Sequence, residues 1–88
     1  MDLLDEARGT RGQDDILTRV YKIAGHKVRV EVRRNFYADQ SHATAEVLSE
    51  HMTWTVIAED LPCNWHGPRT PLGDVATPLA QRALTILA

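Results

Sequence analysis

The chain has 88 residues, of which 43% are hydrophobic and 25% are charged, and its formal net charge at pH 7 is −2. This balance is typical of one small globular domain and argues against an intrinsically disordered chain. The negative net charge argues against a protein built mainly to neutralise nucleic-acid phosphates.

The first residues, Met-Asp-Leu-Leu-Asp-Glu-Ala-Arg, do not have the pattern of a secretory signal, which needs basic residues followed by an apolar run. No stretch approaches the ~18 apolar residues that a membrane span requires. The sequence has one cysteine, which cannot form an internal disulfide. We therefore expect a cytoplasmic protein with no membrane partner.

Residues 1–13 are predicted to form a flexible arm or a short helix, because Gly9 and Gly12 break any continuation. The rest, residues 14–88, is predicted to be a single α+β domain. Its first element is a predicted helix over 14–24, with Asp14 and Asp15 at the start and Gly25 as the stop. Apolar residues there recur at spacings of three and four, although their β-branched members leave a strand as the alternative.

Three strands are predicted next. Residues 28–33 alternate strictly, and residues 41–48 and 52–59 follow after turns, which predicts an antiparallel meander. Loops at 39–40 and 50–51 would place Val32 opposite Val47 and Val47 opposite Trp54. The register then predicts one apolar face that contains Val28, Val30, Val32, Phe36, Ala43, Ala45, Val47, Met52, Trp54, Val56 and Ala58.

The last predicted helix begins at about Pro78, because Thr77 resembles an N-cap residue followed by proline at the first helical position. Whether Pro71 opens a separate turn of helix is left open. The predicted fold class is therefore α+β, a single small domain in the order α-β-β-β-α. Its three-stranded antiparallel meander would be packed on one face by two helices.

The stretch Leu-Pro-Cys-Asn-Trp-His-Gly-Pro-Arg-Thr-Pro, residues 61–71, holds the single cysteine. Cys63 and His66 are too few ligands for a structural zinc site, which needs four, so no metal is expected. The sequence has no glycine-rich phosphate loop or serine-elbow pattern, so no other cofactor is expected. A thiol activated by a nearby imidazole would make a small enzyme, which is one alternative. The favoured interpretation is structural, with Leu61 and Trp65 closing the end of the core.

The other face of the meander is predicted to be polar and open. Arg33 would pair with Glu46, and Tyr37, His42 and Glu59 would share one row. A carboxylate beside an imidazole can orient a general base, but no nucleophile or oxyanion donor accompanies this row, so it is only a weak catalytic candidate. Leu48 and Ile57, with Thr53 and Thr55 beside them, are candidates for an interface with a protein partner or a second copy.

A basic patch on the first helix and first strand is the candidate nucleic-acid site, formed by Arg19, Lys22, Lys27, Arg29, Arg33 and Arg34. The predicted element order resembles that of double-stranded RNA-binding domains, whose last helix begins with basic residues. Here that segment, Thr77 to Arg82, has one base. The function expected is therefore a non-enzymatic interaction or regulatory module that binds a protein partner or itself, with nucleic-acid binding as the alternative.

Overall fold

A computed structural model describes residues 1–35, 41–60 and 70–88. These form five strands and one helix in the order β1 (Asp2–Arg11), β2 (Asp14–Ile23), β3 (His26–Asn35), β4 (Ser41–Leu48), β5 (Trp54–Asp60) and α1 (Leu72–Leu87). The strands make one antiparallel sheet in the spatial order β1-β2-β3-β4-β5. The predicted fold class of three strands and two helices is therefore wrong, although the antiparallel sheet and the small single domain are confirmed.

The predicted helix over 14–24 is strand β2. Leu17, Tyr21 and Ile23 point into the core, whereas Ile16 and Val20 point to the opposite face and are half-buried. A strand that is apolar on both faces produces apolar spacings of three and four, which imitate a helix. Residues 2–11, predicted as an arm or short helix, form β1, which pairs with β2 along its length.

Tight turns join the first three strands. Gly12 begins the β1–β2 turn with φ of +61°, the conformation that glycine adopts at the first position of a type II′ turn. In the β2–β3 turn Ala24 has φ of +51° and Gly25 has φ of +82°, which is the type I′ pattern. Gly25 is thus the second residue of a hairpin loop and does not end a helix.

Ala24 is the strained residue of that turn, because an L-residue with a β-carbon rarely takes positive φ. Replacing Ala24 by asparagine, which tolerates this conformation, is expected to raise the free energy of unfolding by about 0.5 to 1 kcal/mol. Thermal unfolding should show a midpoint about 3 to 6 °C higher. The control is Ala7→Asn at an exposed strand position, which should give no such gain, and equal shifts in both variants would contradict the turn assignment.

The β3–β4 pairing is displaced from the predicted register. Val28 lies opposite Val47, where Val32 was predicted, so the register differs by four residues. An even displacement leaves each side chain on its predicted face, and Val28, Val30 and Val32 are indeed fully buried. Phe36 lies outside the described residues.

Strand β5 departs further from the prediction because its register shifts between Ala45 and Glu46 of β4. Ala58 lies opposite Ala45 and faces the core, but Val56 lies opposite Glu46 on the other side of the sheet. Trp54, predicted to share a face with Val30, lies instead on the opposite side, within reach of Arg29. This β-bulge changes which side chains the edge strand presents.

Helix α1 packs across β2, β3, β4 and β5 on one side of the sheet. It begins after Pro71 and contains Pro78 in its interior, so the predicted start at Pro78 is wrong. Alanines are buried on both contacting surfaces, which lets the helix approach the sheet closely: Ala43, Ala45 and Ala58 on the strands and Ala76, Ala80 and Ala83 on the helix. Among the described residues, Leu17, Ile23, Leu72 and Leu79 supply the largest fully buried side chains.

Candidate functional site

Within the described residues, no helix or strand lies on the side of the sheet opposite α1. We call this side the open face. Five strands spaced roughly 4.8 Å apart make it about 24 Å wide, and strands of up to 10 residues make it about 33 Å long. The area of the face is therefore close to the roughly 800 Å² that each partner contributes to a standard protein–protein interface.

An ordered cluster of Arg29, Glu46 and Trp54 lies on the open face. Arg29 is directly opposite Glu46, and its Nε and Nη2 atoms donate to Glu46 Oε1 at 3.3 and 3.0 Å. The Arg29 guanidinium carbon is 4.4 Å from the centroid of the Trp54 ring, which is a cation–π contact. Glu46 thus holds the Arg29 guanidinium in position over the Trp54 ring, and the indole remains partly accessible.

Apolar side chains border this cluster. Leu48 is half-buried opposite Trp54, and Val56, opposite Glu46, is 51% exposed. Val20 lies on the far side of Arg29, on the neighbouring strand. The cluster is therefore a charged pair and an aromatic ring within an apolar surround, which resembles the centre of a protein interface more than a solvated charge network.

His42 and Glu59 form the second polar contact of the open face, with His42 Nε2 2.8 Å from Glu59 Oε1. The structure thus brings these two predicted residues together, although Glu59 lies opposite Thr44 and His42 lies opposite Arg33. Both side chains are about half exposed, at 48% and 51%. The pair could orient an imidazole, but the described residues place no nucleophile beside it, and the third predicted member, Tyr37, lies outside them.

The six residues of the predicted basic patch are divided between the two faces. Arg29 and Arg33 lie on the open face, where Arg33 Nη2 is 3.3 Å from Asp14 Oδ2. Arg34, 8% exposed, lies on the helix side together with Arg19. The remaining two, Lys22 and Lys27, lie opposite each other at the end of the β2–β3 hairpin, exposed and without an ion pair in the described part of the chain.

Arg19 connects three elements on the helix side. Its Nε donates to Glu6 Oε1 of β1 at 2.7 Å, and its Nη1 donates to Thr77 Oγ1 of α1 at 3.2 Å and to Tyr21 Oη at 3.3 Å. The hydrogen bond to Glu6 raises the pKa of the Arg19 guanidinium, and burial lowers it by less. Arg19 therefore holds β1 and α1 to β2 and is not free for a phosphate.

The predicted interface residues are not all on the open face. Leu48 is there, but Ile57 packs against the hydrophobic core and Thr55 lies opposite Val47 on the helix side. Thr53 belongs to the exposed β4–β5 loop, where its backbone nitrogen donates to Ser49 Oγ. Sequence reasoning missed Trp54 and Val56, because the alternating pattern of β5 gives no sign of the bulge that turns them outward.

Two further predicted site residues, Cys63 and His66, lie outside the described residues, as do Leu61 and Trp65. The enzyme alternative and the structural interpretation of that stretch therefore stay predictions. Among residues 1–35, 41–60 and 70–88, no group of three or more histidine, cysteine, aspartate or glutamate side chains is arranged to hold a metal ion.

The chain has no match to a protein-family model, to a curated protein or to a solved structure. In the part of the chain that the structure describes, no helix is long and apolar enough to cross a membrane.

Proposed function

We propose that the chain is a non-enzymatic interaction module whose open face binds a protein partner, with the Arg29–Glu46–Trp54 cluster as the anchor. The observation that carries this proposal is the ordered cluster itself, which places an arginine and a tryptophan on a sheet face that no described helix or strand covers. Tryptophan and arginine are the side chains most enriched among residues that dominate binding energy. A surface that is already ordered also loses less conformational entropy on binding.

The chemistry of the partner follows from this surface. The exposed Val56 and half-buried Leu48 favour an apolar contact above Trp54, and Glu46 is already neutralised by Arg29. Lys22 and Lys27 are exposed at one end of the face and pair with no described carboxylate, which favours acidic groups at the partner's rim. We therefore expect a protein surface with an apolar centre and carboxylates on one side.

Nucleic-acid binding receives less support from the same geometry. Four of the six predicted basic residues form ion pairs, and within residues 1–35, 41–60 and 70–88 the other two, Lys22 and Lys27, have no ion-pair partner. Two lysines would neutralise few phosphates, and phosphate contacts supply most of the affinity for nucleic acid. The open face also carries Glu31, Glu46 and Glu59, and the first two offset the charges of Arg33 and Arg29.

The proposal is tested with a photo-crosslinking benzoylphenylalanine placed at Val56, in the cells that make the chain. The matched control places it at Thr85, which is exposed on α1. We expect a discrete adduct with one other protein from position 56 and none from position 85. Equal labelling from both positions, or no adduct, would contradict the proposal, and an adduct of two copies would assign the face to self-association.

Binding of the purified crosslinked partner then tests the anchor. Trp54→Ala is expected to weaken the affinity about tenfold or more, because it removes both the ring and the support of Arg29. Circular dichroism shows whether the variant remains folded, which we expect because Trp54 lies outside the core. An affinity equal to that of the unmodified chain would reject the cluster as the anchor.

A further inference from the structure

We propose that two copies of this chain pair through strand β1, in antiparallel orientation, to form one continuous ten-stranded sheet. β1 is at the edge of the sheet, and all ten of its residues are exposed. Its outer backbone N–H and C=O groups meet no described strand, and an unpaired edge of this length is a template for a further strand. This proposal does not depend on the function assigned to the open face.

The charges of β1 favour its own copy as the occupant. Asp2 and Asp5 lie in the first half of the strand and Arg8 and Arg11 in the second, and none of these four forms an ion pair within the described residues. In an antiparallel pair, the acidic half of each β1 strand lies beside the basic half of the other, so the favourable contact occurs two times. A parallel copy would place like charges together.

Geometry and charge together favour one register. Side chains that lie directly opposite each other in antiparallel strands share a face. A two-fold axis between identical strands therefore passes midway between the two copies of one residue, and we call it an axis through that residue. An axis through Ala7 places Glu6 opposite Arg8 of the second copy, and both of these residues lie on the helix side, opposite Arg19 and Leu17 of β2. An axis through Glu6 would oppose two glutamates, and an axis through Arg8 would oppose two arginines.

The same register is favourable on the open face. Asp5 lies opposite Gly9 of the second copy, and the diagonal neighbour, two residues further along, is Arg11. Gly9 has no described atom within 4 Å of the point where a side chain would begin, so the Asp5 side chain of the second copy has room beside it on the open face. The bulge of β1 lies between Leu3 and Asp5, which leaves the stretch from Asp5 to Arg11 regular.

Cysteine trapping tests the axis directly. In a chain carrying Cys63→Ser, the Ala7→Cys variant places two thiols opposite each other, at a Cα separation of about 4.5 to 5.5 Å, which a disulfide spans. The control is Gly9→Cys, whose two copies would be four residues apart along the seam, or about 13 Å. We expect a disulfide-linked dimer from Ala7→Cys on mild oxidation and little or none from Gly9→Cys. Equal crosslinking at both positions, or none at either, would overturn the proposal.

Sedimentation of the chain without added cysteines tests the charges. Arg8→Glu replaces two attractive contacts across the seam with two repulsive ones and is expected to raise the dimer dissociation constant about tenfold or more. Lys27→Glu makes the same charge change on β3, away from the edge, and should leave dissociation unchanged. A dimer that resists Arg8→Glu, or that Lys27→Glu weakens equally, would reject the β1 seam. Trp54→Ala should not alter dimerisation, so a failure here and a failure of the open face are separate results.

Discussion

Replacing Arg34 by alanine is expected to lower the free energy of unfolding by about 2 to 4 kcal/mol, because it removes a buried cation and leaves a carbonyl without its donor. Arg34 is 8% exposed, and its Nη1 donates to the carbonyl oxygen of Thr70. Its Nη2 lies 3.9 Å from Asp15 Oδ2. It thereby joins the end of β3 to the residue that precedes Pro71 and α1. A domain of this size has a total stability of roughly 5 to 10 kcal/mol, so the loss would be a large fraction.

Urea unfolding followed by circular dichroism measures the effect. The control is Lys27→Ala on the same strand, an exposed basic residue whose removal should change the stability by no more than about 0.5 kcal/mol. Arg34→Lys should give an intermediate loss, since lysine keeps the charge but not the planar set of donors. If Arg34→Ala and Lys27→Ala were equally mild, Arg34 would be a surface residue, as the basic-patch hypothesis requires.

The β3 and β4 faces could be predicted because alternation is a local property. Val28, Val30 and Val32 were assigned to the core side, and an error of four residues in their pairing left them there. The predicted pairing depends on a two-residue loop at 39–40, which lacks the Asn-Gly type of turn chemistry that fixes a register. The face on which each β3 residue lies was therefore more predictable than its partner on β4.

The error over β2 has a different cause. Its helical spacing comes from Leu17 and Tyr21 on the helix side together with Ile16 and Val20 on the open face, where they are half-buried. A strand with a neighbour on each side can carry apolar side chains on both faces, and short windows cannot distinguish that arrangement from a helix. Ala24 and Gly25 distinguish a strand followed by a hairpin turn from a helix only once their positive φ angles are known.

The candidate site could be predicted only in part. An arginine paired with Glu46 was expected, but the register exchanged Arg33 for Arg29. Trp54 was expected in the core, and its outward position follows from a bulge that is stabilised by Ile57 packing against the core. Such a choice is made by tertiary packing, so no pattern within β5 could have shown it.

Replacing Pro78 by alanine is expected to raise the free energy of unfolding by about 2 kcal/mol, the roughly 3 kcal/mol cost of an interior helix proline less the proline's restriction of the unfolded chain. Pro78 is exposed and lies in the interior of α1, where its ring nitrogen cannot donate to the carbonyl of Asp74. The Pro78 side chain is exposed, so little packing is lost and the gain should appear as a higher urea midpoint with an unchanged slope.

Pro71 provides the matched control, because the same substitution there acts at the N-cap, with φ of −61° and no helical hydrogen bond to gain. Pro71→Ala should therefore lower the stability by about 0.5 kcal/mol through the unfolded state alone. A gain in stability from Pro78→Ala together with a loss from Pro71→Ala is expected only if α1 begins before residue 78. If Pro78→Ala instead lowered the stability as Pro71→Ala does, Pro78 would occupy the first turn of the helix, and the contacts of Leu72, Val75 and Ala76 with the sheet would need another explanation.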